Sequence, residues 1–276
     1  MPSILHFQFN MDFFLKFVFS PPSTLLQGLV LTVVAAILAQ VLGTLIGTLL
    51  AVGSLSKRLP PRAFNQIYIW FFRGTPVLVQ LVLIYFGLPY LVGFDLFPPL
   101  LHIGPVSMSG ALLAGILAFG LHEGAYMSEI TRAGLAAIDR GQTEAAQALG
   151  MSPALTLRRI VLPQAIPIIV PALGNQFNNM LKTTALLSVI GVAEMFRVAE
   201  QLQSATFYTF EVYFGISIYY LMLTAVWTLM QMCIEKWLAK STRSHVRRAH
   251  DIGDAGDAGD AGDSQAGVAA IANGSL

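Results

Sequence analysis

Five stretches of nearly continuous apolar residues divide the chain, and polar segments separate them. A helix needs about 20 apolar residues to cross a bilayer core, and each stretch is at least that long. Because only helices and closed barrels satisfy their backbone groups in lipid, the pattern predicts an all-α integral membrane protein without strands. The second stretch is too long for one upright helix, so part of it is expected to tilt or to lie along the interface. The predicted spans cover residues 25–54, 63–92, 108–133, 164–192 and 212–237.

The composition supports a membrane protein. Charged residues make up 11% of the chain, against about 25% in soluble domains, and the mean hydropathy is +0.66. No charged residue occurs between Lys16 and Lys57. The net charge of +1 gives no reason to expect nucleic acid as a partner, and membrane lipid is the expected surrounding. Cys233 is the only cysteine, so disulfides are excluded and a buried thiol is expected.

The basic residues fall on alternate loops and predict the orientation. They lie between spans one and two, between spans three and four, and after span five. The opposite loops hold almost none, since residues 89–107 lack Lys and Arg and Arg197 stands alone after span four. Because cytoplasmic loops are enriched in Lys and Arg, the N-terminus is expected outside and the C-terminus in the cytoplasm. The basic set is Lys57, Arg58, Arg62, Arg132, Arg140, Arg158, Arg159, Lys236, Lys240, Arg243, Arg247 and Arg248.

The pattern divides the chain into three parts. Residues 1–23 carry no small-residue cleavage site and are expected to form a retained N-terminal leader on the outer side. Residues 24–240 form the transmembrane domain. Residues 241–276 contain five aspartates in an Asp-x-Gly repeat, which cannot bury a core, so a disordered cytoplasmic tail is expected.

A polar insert, residues 141–160, joins spans three and four. Thr143 is suited to cap a first short helix over residues 144–149, and Gly150 can supply the left-handed residue that ends it.

A second helix of the insert should begin with Ser152 as cap and Pro153 at its first position, and Pro163 should stop it. Two interpretations remain open at this point. The insert is either a docking surface for a soluble partner or an interfacial hairpin that only joins two spans.

Span four carries a polar face. A charge near the bilayer centre costs about 2.5–3.5 kcal/mol on insertion scales, so polar groups there need an explanation. Steps of three or four residues place the members of this set on one side of a helix. The face is expected to line a water-accessible path, or else to form a hydrogen-bonded seam between helices. Its members are Asn175, Asn178, Asn179 and Lys182.

Span three carries His122 and Glu123. Glu123 is expected either to line the path or to neutralise Lys182 or Arg73. His122 should face away from Glu123 as a buried hydrogen-bonded residue, and no second ligand at suitable spacing supports a metal site. Further along, the spacing of Glu129 and Arg132 favours a helix-surface ion pair. Gly43 and Gly47 in span one should permit close helix contact.

The insert resembles a known signature. Glu144-Ala145-Ala146, then Gly150, then Ile160-x-Leu162-Pro163 is similar to the EAA motif of permease subunits of bacterial binding-protein-dependent ABC importers. The likeness extends over nearly all of residues 25–240, and several segments are similar to the polar amino-acid branch, which includes histidine and glutamine permeases. One departure is Thr183, where members of that branch often carry an acidic residue. Four further segments carry the likeness: Phe72–Pro76, Gly124–Ile130, Leu173–Gln176 and Leu181–Thr184.

The resemblance implies a five-span type I importer domain whose EAA loop is a coupling helix in a cleft of a cytoplasmic ATPase. Its partners would be an ATPase dimer, a second permease subunit and a periplasmic amino-acid-binding protein, in the bacterial inner membrane. The chain has no Gly-Lys pair and hence no P-loop, so it is expected not to be an enzyme. It would bind no cofactor or metal itself, and ATP and Mg would belong to the ATPase. The implied coupling residues are Glu144, Ala145, Ala146, Gly150, Ile160 and Pro163.

The implied function is translocation of a polar or charged L-amino acid by alternating access. The expected substrate pathway comprises Glu123, Asn175, Asn179 and Lys182. The alternative is an ion-coupled secondary amino-acid transporter, in which Glu123 would serve a proton relay. The inverted repeat typical of that class is not evident among the spans.

Overall fold

The structure, a computed structural model, describes residues 9–54, 59–103 and 106–238. The chain forms two compact units, Met1–Met230 and Gln231–Leu276. Of the second unit, only the end of the last helix is described. The predicted tail and the first eight residues of the predicted leader lie outside the described residues.

Helices dominate the described chain. Four of them are long and apolar enough to cross a membrane, namely α2, α5, α7 and α9. A bent pair, α3 and α4, makes a fifth span if it is counted as one, which agrees with the predicted number. The elements are α1 Met11–Phe19, α2 Ser23–Ser54, α3 Leu59–Gly74, α4 Val77–Val92, β1 Leu101–Ile103, β2 Val106–Met108, α5 Gly110–Ala136, α6 Arg140–Ala148, α7 Pro153–Ile190, α8 Met195–Thr206 and α9 Thr209–Leu238.

The second span is broken rather than tilted. The helices on either side of Thr75 and Pro76 meet at an angle of 106°. Pro76 has extended backbone angles, φ −63° and ψ 135°, and serves as the N-cap of α4. Proline disfavours helical angles in the residue before it, and the Thr75 hydroxyl donates to the Phe71 carbonyl at 2.8 Å. The Thr-Pro pair therefore ends one helix and starts another.

A short antiparallel hairpin corrects the expectation that the chain lacks strands. β1 pairs with β2, with Leu101 opposite Met108 and His102 opposite Ser107. The hairpin lies in the loop between the second and third spans. Because water can reach the open edges of a sheet there, the lipid constraint that excludes strands does not apply.

Two apolar clusters organise the bundle. The larger joins α2, α4, α5 and α7, and the smaller joins α1, α8, the start of α2 and α9. The larger has Ala36, Leu81, Phe119 and Leu187 among its most buried members. The smaller is centred on Leu25, Met195 and Val212.

Glycines bring α2 and α5 into close contact, as the sequence predicts. A Cβ atom at Gly43 would lie 2.5 Å from the Cβ of Glu123. One at Gly47 would lie 2.7 Å from the Ser128 nitrogen and 2.8 Å from the Gly124 oxygen. Small residues let helix backbones approach closely in lipid, where packing rather than water exclusion drives association.

Glu194 anchors the loop after α7 to the bundle through hydrogen bonds. It was not predicted from the sequence as a functional or structural residue. Its side chain is fully buried and accepts hydrogen bonds from the backbone N–H groups of Phe196 and Arg197, at 2.9 and 2.7 Å, at the start of α8. The hydroxyls of Thr32 and Tyr220 donate to it at 3.3 and 3.4 Å. Burial raises the pKa of the Glu194 carboxyl, and these hydrogen bonds oppose the shift. One carboxyl thus connects α2, α8 and α9.

The glycine contact predicts a stability difference within α2. Gly47→Val should destabilise the protein by about 1–3 kcal/mol, because the new side chain overlaps the backbone of α5. Gly53→Val should change stability little, since nothing lies within 4 Å of a Cβ there. Thermal unfolding of the two variants in detergent measures the difference. Equal midpoints for both variants and the parent would contradict the packing described here.

Candidate functional site

The loop between α5 and α7 presents one short helix, α6. Its N-cap is Asp139, whose carboxylate accepts from the Gly141 nitrogen at 2.7 Å. The predicted cap, Thr143, is wrong, because Asp139 already starts the helix at Arg140. The EAA motif beginning at Glu144 therefore lies in the middle of a helix rather than at its start.

The faces of α6 differ in exposure. Glu144 and Ala145 are exposed, whereas Ala146 is 5% exposed and faces the rest of the chain. Leu149, directly after the helix, is 85% exposed. Small side chains next to a projecting leucine give a surface that another protein can approach closely.

Gly150 ends α6 in a Schellman motif. Its φ of +82° lies in the left-handed region, as predicted from the sequence. The Met151 nitrogen donates to the Ala146 carbonyl at 3.1 Å, and the Gly150 nitrogen donates to the Gln147 carbonyl at 2.9 Å. These two bonds satisfy carbonyls that the helix end would leave without partners. No atom lies within 4 Å of a Cβ built at Gly150, so backbone conformation, not space, requires glycine.

The second helix of the insert does not stop at Pro163, which corrects the prediction. It starts as expected, with the Ser152 hydroxyl accepting from the Leu155 nitrogen at 3.4 Å, but α7 continues to Ile190. A π-helical turn over Leu157–Val161 precedes the proline. Pro163 has no N–H for the carbonyl four residues earlier, and the wider turn accommodates this. Ile160 lies in that turn, so the end of the motif is continuous with span four.

A π-helical turn before a proline also occurs in α4. A π-helical turn over Leu83–Gly87 precedes Pro89 by the same interval. Such turns are rare and often mark functional positions in helices. Here each follows from a proline within a continuing helix.

A polar cavity of about 200 Å³ lies among α4, α5 and α7 and is open to the surface at Asn179, which is exposed. Val77, Phe119 and Met180 form its apolar wall. Two predicted pathway residues, Glu123 and Asn179, meet there. The polar lining consists of His122, Glu123, Tyr126, Gln176, Asn179 and Thr183.

Glu123 is 5% exposed. Its carboxylate accepts from the Gln40 amide of α2 at 3.2 Å. Neither expected cation neutralises it, because the ion pairs among the described residues are Arg132–Glu129 and Arg197–Glu200. Gln40 was missed in the sequence, although an amide in a long uncharged span is a signal for such a contact.

His122 is hydrogen-bonded as predicted, but it lines the same cavity as Glu123 instead of facing away. Its Nδ1 lies 3.0 Å from the Gln80 side-chain oxygen. The Gln80 amide nitrogen donates to the Phe72 carbonyl and to the Thr75 hydroxyl, at 2.9 and 2.7 Å. Since these acceptors fix the orientation of the amide, His122 Nδ1 carries the proton and donates.

Arg73 stacks on an aromatic ring. Its guanidinium lies 5.3 Å from the centre of the Tyr126 ring, a cation–π geometry. The ring of His122 lies 5.1 Å from that of Tyr126. The broken second span thus places its arginine beside Tyr126, which lines the polar cavity.

The predicted polar face of span four divides among different surroundings. Asn179 lines the polar cavity, and its amide donates to Gln176 at 3.3 Å. Lys182 lines a separate cavity of about 280 Å³ with Phe196, Tyr213 and Tyr220. Asn178 donates to the Thr228 hydroxyl at 3.5 Å, and Asn175 is exposed. The four residues therefore do not form one lining.

Three further sequence predictions concern an ion pair, a metal site and the single cysteine. Arg132 and Glu129 form the predicted ion pair at 3.0 Å. Among the described residues no group of three or more His, Cys, Asp or Glu side chains could hold a metal ion. Cys233 is exposed, which corrects the expectation of a buried thiol. The coupling and pathway assignments stay predictions.

A family model described as "Binding-protein-dependent transport system inner membrane component" matches residues 43–241 of the chain. Among curated relatives, a Bacillus subtilis (strain 168) protein named "Probable amino-acid permease protein YxeN" is 38% identical over 83% of this chain and 97% of its own. The "Arginine transport system permease protein ArtQ" of the same organism is 33% identical over 78% of this chain and 92% of its own.

Solved structures agree with these relatives. A chain of a crystal structure described as an amino acid ABC transporter with histidines is 38% identical, with a TM-score of 0.68, and covers 78% of this chain and 94% of its own. A chain of the MetNI methionine ABC transporter in an inward-facing conformation is 18% identical with a TM-score of 0.58 and covers the same shares of both chains. The second match supports the fold alone.

The cavity predicts a labelling pattern. In a Cys233→Ser background, Asn179→Cys should react with a small water-soluble thiol reagent at least about tenfold faster than Leu181→Cys, because thiolate formation needs water. Leu181 is 1% exposed and faces the apolar core. Mass spectrometry after timed labelling gives the two rates, and equal rates would mean that water does not reach the cavity.

Proposed function

The chain belongs to the family of binding-protein-dependent transport system inner membrane components and is a permease of an ABC importer; on that premise, we propose that it translocates a polar or charged L-amino acid across the bacterial inner membrane by alternating access. ATP hydrolysis takes place on a separate ATPase subunit with ATP and Mg. This chain supplies the membrane path and the docking surface.

The observation that carries this proposal is the form of the EAA loop. Glu144 and Ala145 stand on the outer face of α6, Leu149 projects from its end, and a Schellman turn holds Gly150. The following helix continues through Pro163 into the membrane. A push on α6 from an ATPase would therefore reach span four through a continuous helix. This arrangement supports docking of an ATPase dimer at these residues.

The complex needs two further kinds of partner. A second permease subunit, identical or closely related, completes the path across the bilayer. A periplasmic amino-acid-binding protein delivers the solute. The alternate basic loops support a periplasmic N-terminus and a cytoplasmic α6, as the excess of Lys and Arg in cytoplasmic loops requires.

The polar cavity supports an amino acid as the substrate. A zwitterion presents one ammonium and one carboxylate. Glu123 offers an acceptor for the ammonium, while the N–H of the Asn179 amide that does not donate to Gln176 offers a donor for the carboxylate. The names of the relatives, which refer to amino-acid and arginine transport, agree with this class.

Family membership does not support the alternative of ion-coupled secondary transport. Glu123 needs no proton-relay role to explain its burial, because Gln40 donates to it. Uptake into vesicles that contain this chain, its ATPase and its binding protein separates the two mechanisms. ATP inside the vesicles should drive uptake without an ion gradient, and uptake driven only by a proton gradient would reject the proposal.

Gly150 should be required for coupling through its backbone angle. Gly150→Val should lower ATP-driven uptake at least about tenfold while ATP hydrolysis continues, because a β-branched residue does not adopt positive φ readily. Gly150→Asn should retain much of the uptake, since asparagine tolerates that region. Uptake and hydrolysis are measured in the same vesicles. Parental uptake by the valine variant would remove Gly150 from the coupling mechanism.

Asn179 should affect the apparent affinity for the transported amino acid. Asn179→Ala should raise the half-saturating concentration by about tenfold, which corresponds to the loss of one or two hydrogen bonds. The matched control is Asn178→Ala, the adjacent asparagine, which does not line the cavity. The comparison is made on vesicles with equal amounts of assembled complex. The same change in both variants would argue against a substrate contact at Asn179.

A further inference from the structure

A second polar cavity, of about 350 Å³, lies at the opposite end of α5 from the external hairpin. It is bounded by the end of α2, the first half of α3 and the last turns of α5. Its volume falls within the range of small-molecule sites, about 300–1,000 Å³. The lining consists of Ser54, Arg62, Asn65, Gln66, Ile69, Glu129 and Arg132.

The charges of this cavity are mixed. Arg62 and Arg132 contribute two guanidinium groups, and Glu129 contributes one carboxylate. Arg132 pairs with Glu129 at 3.0 Å. Arg62 has no carboxylate partner among the described residues, whose ion pairs are this one and Arg197–Glu200. The cavity therefore carries an excess of one positive charge. Both Glu129 oxygens already accept from Arg132, at 3.2 and 3.0 Å, and their remaining lone pairs can accept from a cation.

The lining of the cavity includes a polar side chain that is buried and hydrogen-bonded. Asn65 is 4% exposed and accepts from the Ser128 hydroxyl at 3.4 Å. Buried amides are held in place by such bonds. The Asn65 amide is thus held in a fixed position in the same lining as the charged groups.

The two polar cavities lie in series along α5. His122, Tyr126 and Glu129 stand at i, i+4 and i+7 and so share one face of the helix. His122 and Tyr126 line the first polar cavity, and Glu129 lines the second. Glu129 lies six residues beyond Glu123, about 9 Å along the helix axis. Arg73 contacts the ring of Tyr126, one of the residues of this face.

We propose that this second cavity is a release-side site for a free zwitterionic amino acid, with its carboxylate at Arg62 and Arg132 and its ammonium at Glu129. A purely anionic ligand would meet the Glu129 carboxylate, and a purely cationic ligand would meet two guanidinium groups. A zwitterion satisfies both signs at once. The inference rests on the proposed function, because it takes the transported amino acid as the ligand.

Occupation of this site from the cytoplasm should slow import. An amino acid held at Arg62 stands at the end of the polar face along which the next molecule would leave. Its accumulation inside the cell would then oppose further release. The site links the rate of import to the internal concentration of the product.

The test uses the whole importer in phosphatidylcholine vesicles with ATP in the lumen, which corresponds to the cytoplasm. A panel of the twenty common L-amino acids first identifies one that is taken up. The initial rate of uptake is then measured at rising lumenal concentrations of the same compound, and each variant is normalised to its own rate with an empty lumen. The variants are Arg62→Gln and, as a control with the same change of charge outside the cavity, Lys236→Gln.

Lumenal amino acid should slow uptake by the parent, and Arg62→Gln should raise the half-inhibitory concentration by about tenfold, as expected for one lost charge-assisted hydrogen bond. Lys236→Gln should leave that concentration unchanged. The deaminated acid of the same compound should inhibit the parent more weakly, because it has no ammonium for Glu129.

Several results would overturn the proposal. These are uptake by the parent that is insensitive to lumenal amino acid, unchanged inhibition in Arg62→Gln, or an equal shift in Lys236→Gln. A shift that appears only when phosphatidylglycerol is added to the vesicles would assign the cavity to a lipid headgroup instead. If the parent takes up none of the twenty compounds with ATP, the proposed function itself fails, which is a different result from any of these.

Discussion

The close approach of α2 to α5 is the constraint on which the rest of the bundle depends. Gly43 and Gly47 let the two backbones meet, with a hypothetical Cβ at Gly43 only 2.5 Å from that of Glu123. Lipid gives helices little reason to associate by hydrophobicity, so packing and hydrogen bonds must hold them. The same approach brings the Gln40 amide within 3.2 Å of Glu123. A carboxyl can therefore be buried within a membrane-spanning helix with a partner that carries no charge.

Prolines determine how the other spans meet this pair. Pro76 interrupts the second span, and the resulting bend places Arg73 in contact with the ring of Tyr126. Pro163 is accommodated by a π turn, so the helix that follows α6 runs into span four without interruption. The first proline starts the helix that places Val77 in the wall of the polar cavity. The second is accommodated without interrupting the helix between α6 and span four. Both are consequences of a missing N–H and a restricted neighbour.

The membrane spans and some helix ends could be predicted from the sequence, for physical reasons. Long apolar runs identified the spans, and Gly150 and Ser152 identified local ends of helices, because both signals are contained within a few residues. The cap at Asp139 was missed because Thr143 is also a favoured cap residue, and the choice depends on where α5 ends. The partner of Glu123 could not be predicted, since it comes from Gln40 on another helix. The polar face of span four was divided by neighbours, among them α5 and α8, that a helical wheel does not include.

Site-specific photocrosslinking from Leu149 in the assembled importer tests the central claim most directly, because this side chain is 85% exposed at the end of α6. A photoreactive residue there should crosslink to the ATPase subunit, and the yield should differ between the nucleotide-free and the ATP-bound complex. A complex that imports amino acid yet crosslinks at this position only to lipid would contradict the account.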